Sequence, residues 1–391
     1  MYSILLAIIY LSFISLGLPD ALLGSAWPIM RAQMEVPISF AGIVAMIISA
    51  GTIASSLLSD RLTKKLGAGL VTAASVFTTA VALFGFSVSS SFWMLCVFAV
   101  PYGLGAGAVD AALNNYVALR YTSRHMSWLH CSWGIGATVG PYVMGWSLVN
   151  GFSWNDGYRT IAIMQIVLTA FLFASLPLWK KQSVAVSGET PEKRAVLSLP
   201  QILKIKGVKF ILPAFFGNCA IETTTILWAS SFLVIERGIV PETAAKYASL
   251  FLWGITAGRF LSGFVSNRVG DRNMIRIGTA IIIAGILAVW IPVAPNWLCL
   301  SGLVAIGFGS GPVYPSIIHS TPANFGKENS QAIVGVQMAS AYIGSTTMPP
   351  VFGLIARHID IGLYPVFLML LVLLMLLMTE KLNRAVKHRS A

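Results

Sequence analysis

Twelve predominantly apolar runs dominate the chain: 4–30, 38–59, 67–87, 91–119, 125–150, 158–179, 207–235, 243–267, 273–293, 297–320, 328–357 and 361–380. A helix rises about 1.5 Å per residue, so roughly 20 apolar residues cross the hydrocarbon of a bilayer. Lipid offers no partner to a bare N–H or C=O, which leaves helices or closed barrels as the only spanning structures. A barrel needs alternating segments of about 10 residues, and these runs are longer and continuously apolar. The expected fold class is an all-α membrane protein with twelve transmembrane helices. Only 10% of residues are charged, against about 25% in average soluble domains.

The connections are short except for 180–206, KKQSVAVSGETPEKRAVLSLPQILKIK, which is polar and carries Ser, Gly and Pro. It is expected to be a cytoplasmic linker between an N-terminal six-helix bundle, 1–179, and a C-terminal six-helix bundle with a short basic tail, 207–391. With both termini placed in the cytoplasm, 20 of the 26 Lys and Arg residues fall on that side, five fall opposite, and Arg259 lies within a span. This asymmetry sets the orientation and accounts for the net charge of +12 without a nucleic-acid partner. The four cysteines fall inside expected spans and read as packing residues, with no disulfide implied. The first 17 residues lack a basic leader and a small-residue cleavage site, so they read as a retained first span.

The two halves look like copies. Gly103-Leu-Gly-Ala-Gly107 matches Gly307-Phe-Gly-Ser-Gly311, an offset of 307 − 103 = 204. Gly136, Pro141 and Gly145 match Gly344, Pro349 and Gly353, with 344 − 136 = 208. SLLSDRLTKK (56–65) matches GFVSNRVGDR (263–272), with 267 − 60 = 207. Such repeats mark secondary transporters, whose solute site lies near the bilayer midplane where the repeats meet.

On these residues the chain resembles the major facilitator superfamily, whose loop signature is G-x-x-x-D-R-x-G-R-K. The second copy keeps Gly263, Arg268, Gly270 and Arg272 but has Asn267 for the acid. The first keeps Asp60, Arg61, Lys64 and Lys65, with Ser56 and Thr63 in place of glycines. The stretch PYGLGAGAVDAALNNYV (101–117), Asp20 in GLPDALLGSAWP and GSGPVYPSI (309–317) are similar to spans 4, 1 and 10 of the fucose:proton symporters. Departures are Asp110 where that family has Glu, Asn115 where it has Pro, and His130 in span 5. The resemblance implies two pseudo-symmetric six-helix bundles in the major facilitator fold. It also implies a cytoplasmic gate held by Asp60, Arg61 and Arg268.

Three acids lie inside spans: Asp20, Asp110 and Glu222. A carboxylate at the centre of a helix costs about 2.5–3.5 kcal/mol on insertion scales, so each of these acids is a functional candidate. Pro19 favours a helix break beside Asp20. Asp20 and Asp110 are proton-coupling candidates, and His130 could form a relay with Asp110 or sit at the membrane interface. Asn114 and Asn115, with Asn218 one turn before Glu222, suit a hydroxylated solute, because hydroxyls donate to carboxylates and accept from amides. Trp133, Trp228, Tyr314 (at 110 + 204), Gln337 and Gln165 are further cavity candidates, and Trp253 is also deep. Trp27, Trp93, Trp179 and Trp297 lie near span ends and belong to the interfacial belt. Arg259 needs an acid or carbonyls as partners, and a structural or gating role is favoured over an anion clamp.

The expected function is a proton-coupled symporter moving a sugar or similar small polar solute by alternating access. The expected site is a multi-pass, bacterial-type inner membrane, with the protein acting as a monomer in lipid. A secondary active transporter is expected, not an enzyme; no G-x-x-x-x-G-K-[ST] appears, so direct ATP drive is not expected. No cofactor or metal is expected, protons being the coupling ion with sodium open. The alternative is a drug or metabolite:proton antiporter, because Gly136-x-x-x-Gly140-Pro141-x-x-x-Gly145 is similar to a motif of that class. An antiporter would have an apolar, Met- and aromatic-lined cavity.

Overall fold

The computed structural model describes residues 2–37, 39–186, 197–291 and 295–387. No strand occurs among them. The chain divides into two compact units, one of residues 1–116 and 129–197, the other of residues 117–128 and 198–391.

The first unit is built from α1 (Tyr2–Gly17), α2 (Leu22–Gln33), α3 (Phe40–Leu66), α4 (Ala68–Ser87), α5 (Phe92–Arg120), α6 (Ser123–Val149) and α7 (Trp154–Val186). The last residues of α5 and the first of α6 cluster with the second unit. The second unit holds α8 (Leu199–Lys204), α9 (Val208–Ile235), α10 (Pro241–Val269), α11 (Asp271–Trp290), α12 (Asn296–His319), α13 (Thr321–Phe325) and α14 (Lys327–His358), then a 3₁₀ turn, Ile361–Leu363, and α15 (Tyr364–Lys387). With α1 and α2 counted as one broken span, the described residues contain twelve long helical segments. Nine have both the length and the apolarity to cross a membrane. The other three, α6, α10 and α14, have 27, 29 and 32 residues. Buried polar groups run along them, among them His130, Arg259 and Gln337. Outward faces carry large apolar side chains such as Phe171, Val97 and Leu370, as helices facing lipid do.

The helix break expected at Pro19 is present, with turns over residues 18–21 between α1 and α2. Two expectations at the linker change. Helix α7 runs on to Val186, beyond the expected end at 179, and α8 lies within 180–206. Residues 187–196 of that linker lie outside the described residues.

The glycine runs explain themselves within each unit. A Cβ on Gly103 or Gly107 would strike the carbonyl of Ile48 or Thr52 in α3, and one on Gly105 would meet Ser75 and Thr79 of α4. In the second unit, Gly307 and Gly311 meet Phe251 and Ile255 of α10, and Gly309 meets Gly278 of α11. The partners are offset by 251 − 48 = 203, 255 − 52 = 203 and 278 − 75 = 203. The duplicated sequence is therefore a duplicated packing pattern, in which small residues let backbones touch. Gly136 similarly seats the Ile14 carbonyl of α1 and Gly140 the Leu18 carbonyl just after it, whereas Gly145 faces open space.

Two tryptophans expected in the interfacial belt are core residues instead. Trp27 sits in the apolar core around Leu22, Phe86 and Tyr158. Trp179 packs on Gly69 and lies 4.9 Å from the Tyr116 ring, because the longer α7 carries it past the span end. Trp93, Trp297 and Trp253 are exposed.

Candidate functional site

In the first unit, the break after Gly17 turns Asp20 out of the helical ladder and leaves its carboxylate accessible. Trp133 Nε1 of α6 donates to its Oδ2 at 2.7 Å, and the Tyr102 hydroxyl of α5 donates to its Oδ1 at 3.3 Å. A cavity of about 170 Å³ opens beside it, lined by Pro19, Ser49, Phe86, Tyr102 and Tyr158 among others. The Tyr158 hydroxyl is buried and has no hydrogen-bond partner among the described residues.

A second polar assembly is fully enclosed. Asp110, Asn114 and His130 are 4%, 0% and 4% exposed. Asn114 Nδ2 donates to Asp110 Oδ1 at 2.8 Å, which reflects the four-residue spacing along α5. The amide oxygen then faces His130 Nε2 at 2.9 Å. Because the amide nitrogen is committed to the carboxylate, the oxygen must accept, so His130 carries its proton on Nε2. Phe13 of α1 meets the imidazole edge-on at 5.4 Å and fixes the ring. Asn114 thus joins the acid and the imidazole expected to work together, although an amide does not itself pass a proton. Asn115 is also buried.

The second unit holds a charged cluster at mid-helix. Arg259 Nη2 of α10 stands 3.5 Å from Glu222 Oε2 of α9. Asn218 Nδ2 donates to Glu222 Oε1 at 3.1 Å. The guanidinium lies 5.9 Å from the Tyr314 ring centroid, and Phe215 packs on that ring at 4.5 Å. The acid partner demanded by Arg259 is therefore Glu222. The register of α1 and α9 adds a relation the sequence hid. Gly136 seats the Ile14 carbonyl and Gly344 seats that of Phe216, an offset of 216 − 14 = 202. Asp20 and Glu222 share this offset, 222 − 20 = 202. The two acids share one register in the duplicated sequence, although the helix is broken at Asp20 and continuous through Glu222.

The Major Facilitator Superfamily family model matches residues 9–248 and, a second time, 211–389. This chain belongs to the major facilitator superfamily. It is 24% identical over 355 residues to the cis,cis-muconate transport protein of Acinetobacter baylyi, covering 85% of this chain and 83% of the relative. The fold is similar to the fucose:proton symporter FucP in its outward conformation, with a TM-score of 0.76 and 15% identity over 97% of this chain and 99% of that one. It is also similar to the proton:xylose symporter XylE, with a TM-score of 0.77 and 11% identity over 97% and 95%. The chain is thus a multi-pass membrane transporter and not an enzyme.

Other expected residues of the transporter are held in packing. Trp228 donates to the Pro349 carbonyl at 2.9 Å. Gln337 accepts from Thr321 at 3.0 Å, leaving its buried Nε2 without a partner among the described residues. Gln165 is no cavity residue: it links α4 and α1, accepting from Thr79 and donating to the Ser15 carbonyl, both at 2.8 Å. Ion pairing at the expected gate also differs. Asp60 is buried and pairs with Lys64 at 2.8 Å, one turn along its own helix. Arg61 and Arg268 are exposed and form no ion pair among the described residues.

Sequence reasoning missed a compact clasp in the second unit. Asp271 accepts from Ser123 Oγ and faces His319 Nδ1, each at 2.6 Å. His319 Nε2 faces the Tyr121 carbonyl at 3.1 Å, and Asn267 Oδ1 accepts from the Arg124 amide at 3.2 Å. Both imidazole nitrogens face acceptors, an arrangement that suits an imidazolium against a carboxylate. The only sequence signal was an extra acid at the end of GFVSNRVGDR. His319→Leu removes both contacts and is expected to destabilise the protein by about 2 kcal/mol, read as a lowered thermal unfolding midpoint in detergent.

Proposed function

We propose that the transporter is a proton-coupled symporter of a small polar solute, a sugar or a chemically similar molecule, working by alternating access as a monomer. It would lie in a bacterial-type inner membrane with both termini cytoplasmic. The observation that carries this reading is the enclosed Asp110–Asn114–His130 assembly, an acid at membrane depth tied to a second titratable group. Such a group is costly to bury and has a use as a proton carrier. Asp20 in its cavity, with Tyr102, Tyr158 and Trp133 around it, offers the donors and acceptors that a hydroxylated solute requires. The fucose and xylose symporters of the same fold give the reading its precedent.

The test is reconstitution in liposomes containing a pH-sensitive dye, with a panel of sugars and sugar acids outside. The expected result is solute-dependent acidification of the lumen, unchanged when sodium is replaced by potassium. Proton movement driven by lipophilic cations and by no polar solute would sink the symport reading in favour of the antiporter. Trp133→Phe removes the hydrogen bond to Asp20. A bond to a charged group is worth about 1.5–3 kcal/mol, so the half-saturating solute concentration is expected to rise about tenfold or more. Trp93→Phe, at an exposed span end, should leave it unchanged.

A further inference from the structure

We infer that the Arg259–Glu222 pair is a carboxylate-binding site, so that the solute bears a carboxylate and the single coupled proton, whose uptake needs Asp110, occupies Glu222 while the solute is bound. The inference rests on the symport reading above and names its substrate class. At 3.5 Å the pair is longer than the 2.7–2.9 Å of a tight charge-assisted hydrogen bond, so Glu222 holds the guanidinium by charge and not by a fitted fork. Arg keeps its proton in any protein environment, and its planar fork matches a carboxylate bidentately. Of the pair, Glu222 is the more accessible, at 13% side-chain exposure against 4%.

Asn218 shows how Glu222 can change protonation state in place. Its Nδ2 donates to the carboxylate, while its Oδ1 is buried with no hydrogen-bond partner among the described residues. A protonated Glu222 gains an O–H donor, and the orphaned oxygen on the same amide can accept from it in a paired acid–amide contact. Protonation therefore satisfies Asn218 and removes the counter-charge of Arg259. A buried guanidinium left without its anion is strongly unfavourable. A solute carboxylate restores neutrality, so proton and solute anion bind cooperatively, one for one. The half-buried Tyr314 ring beneath the guanidinium, backed by the fully buried Phe215, offers an aromatic wall for the carbon skeleton. In the first unit the place of Arg259 falls on Ser56, since 255 − 52 = 203 and 259 − 203 = 56. The anion site is therefore particular to the second unit. The muconate carrier among the relatives is in keeping with this chemistry.

The experiment uses the full chain in dye-loaded liposomes with D-glucuronate, cis,cis-muconate and D-glucose as probes. Proton entry is expected with the two carboxylates and not with glucose. Arg259→Gln should lower carboxylate-driven proton entry about 100-fold or more. Glu222→Gln, which imitates the protonated acid, should retain exchange of labelled glucuronate while losing proton-driven accumulation. Should Arg259→Gln fail to fold, the double variant Arg259→Gln/Glu222→Gln removes both charges together and should fold without carboxylate transport. Proton entry with glucose alone overturns the inference and leaves the symport reading standing. Carboxylate-driven proton entry that persists in the double variant also overturns it. Proton entry with none of the three probes or with any sugar of the wider panel overturns both.

Discussion

Asp110→Asn should uncouple the transporter. In proteoliposomes under an imposed pH gradient, the wild-type protein is expected to accumulate solute about tenfold per pH unit, since one unit is worth about 1.4 kcal/mol per proton. The variant should only equilibrate solute, at a ratio near one, while still exchanging labelled for unlabelled solute. The reason is local. The side chain is 4% exposed and keeps its shape on substitution, but an amide takes up no proton in this range. Asn114 Nδ2 would retain an oxygen to donate to, so the fold survives. A variant that still accumulates solute against the gradient would remove Asp110 from the coupling role.

The second large effect concerns packing. Gly107→Leu should destabilise the protein by about 3 kcal/mol or more, with most of the chain lost to aggregate on size-exclusion chromatography. Even a Cβ at this position would strike the Thr52 carbonyl and the hydroxyls of Ser55 and Ser56. It would also disturb the Ser56 hydrogen bond to the Gly107 carbonyl. These neighbours are backbone and buried side chains of α3 with nowhere to move. Gly311→Leu, meeting the Ile255 carbonyl and the backbone at Gly258 and Arg259, should behave alike. Gly145→Ala, with nothing within 4 Å, should be neutral or slightly stabilising, because helix propensity favours Ala. Equal tolerance at positions 107 and 145 would contradict the close-packing account.

The spans and the duplication were legible because both leave one-dimensional traces. Apolar length is a sum over neighbours in the chain, and repeats appear as constant offsets. Asp20, Asp110, Glu222 and Arg259 could be singled out because lipid makes any ionisable residue within a span conspicuous. Their grouping was only partly legible. The four-residue spacings of Asp110 with Asn114, and of Asn218 with Glu222, are helical neighbours by geometry. The Asp20–Trp133 and Arg259–Glu222 contacts join different helices and leave no such trace. Arg259 called for an acid or carbonyls, but the sequence could not name Glu222, which lies 37 residues away, 259 − 222 = 37. Gln165 looked like a ligand group and proved to tie helices together, since a buried amide satisfies either description.

By itself, the sequence determined that this chain crosses a membrane many times, is duplicated, and carries three acids where lipid penalises them. Those properties follow from transfer energetics and helical periodicity, which act locally. Which acid meets which base is set by the fold: Asp110 with His130 through Asn114, and Glu222 with Arg259. The fold also brings Asp271 and His319 into a clasp that no motif announced. Contacts between helices depend on the rotation and depth of each one, and close glycine packing sets both.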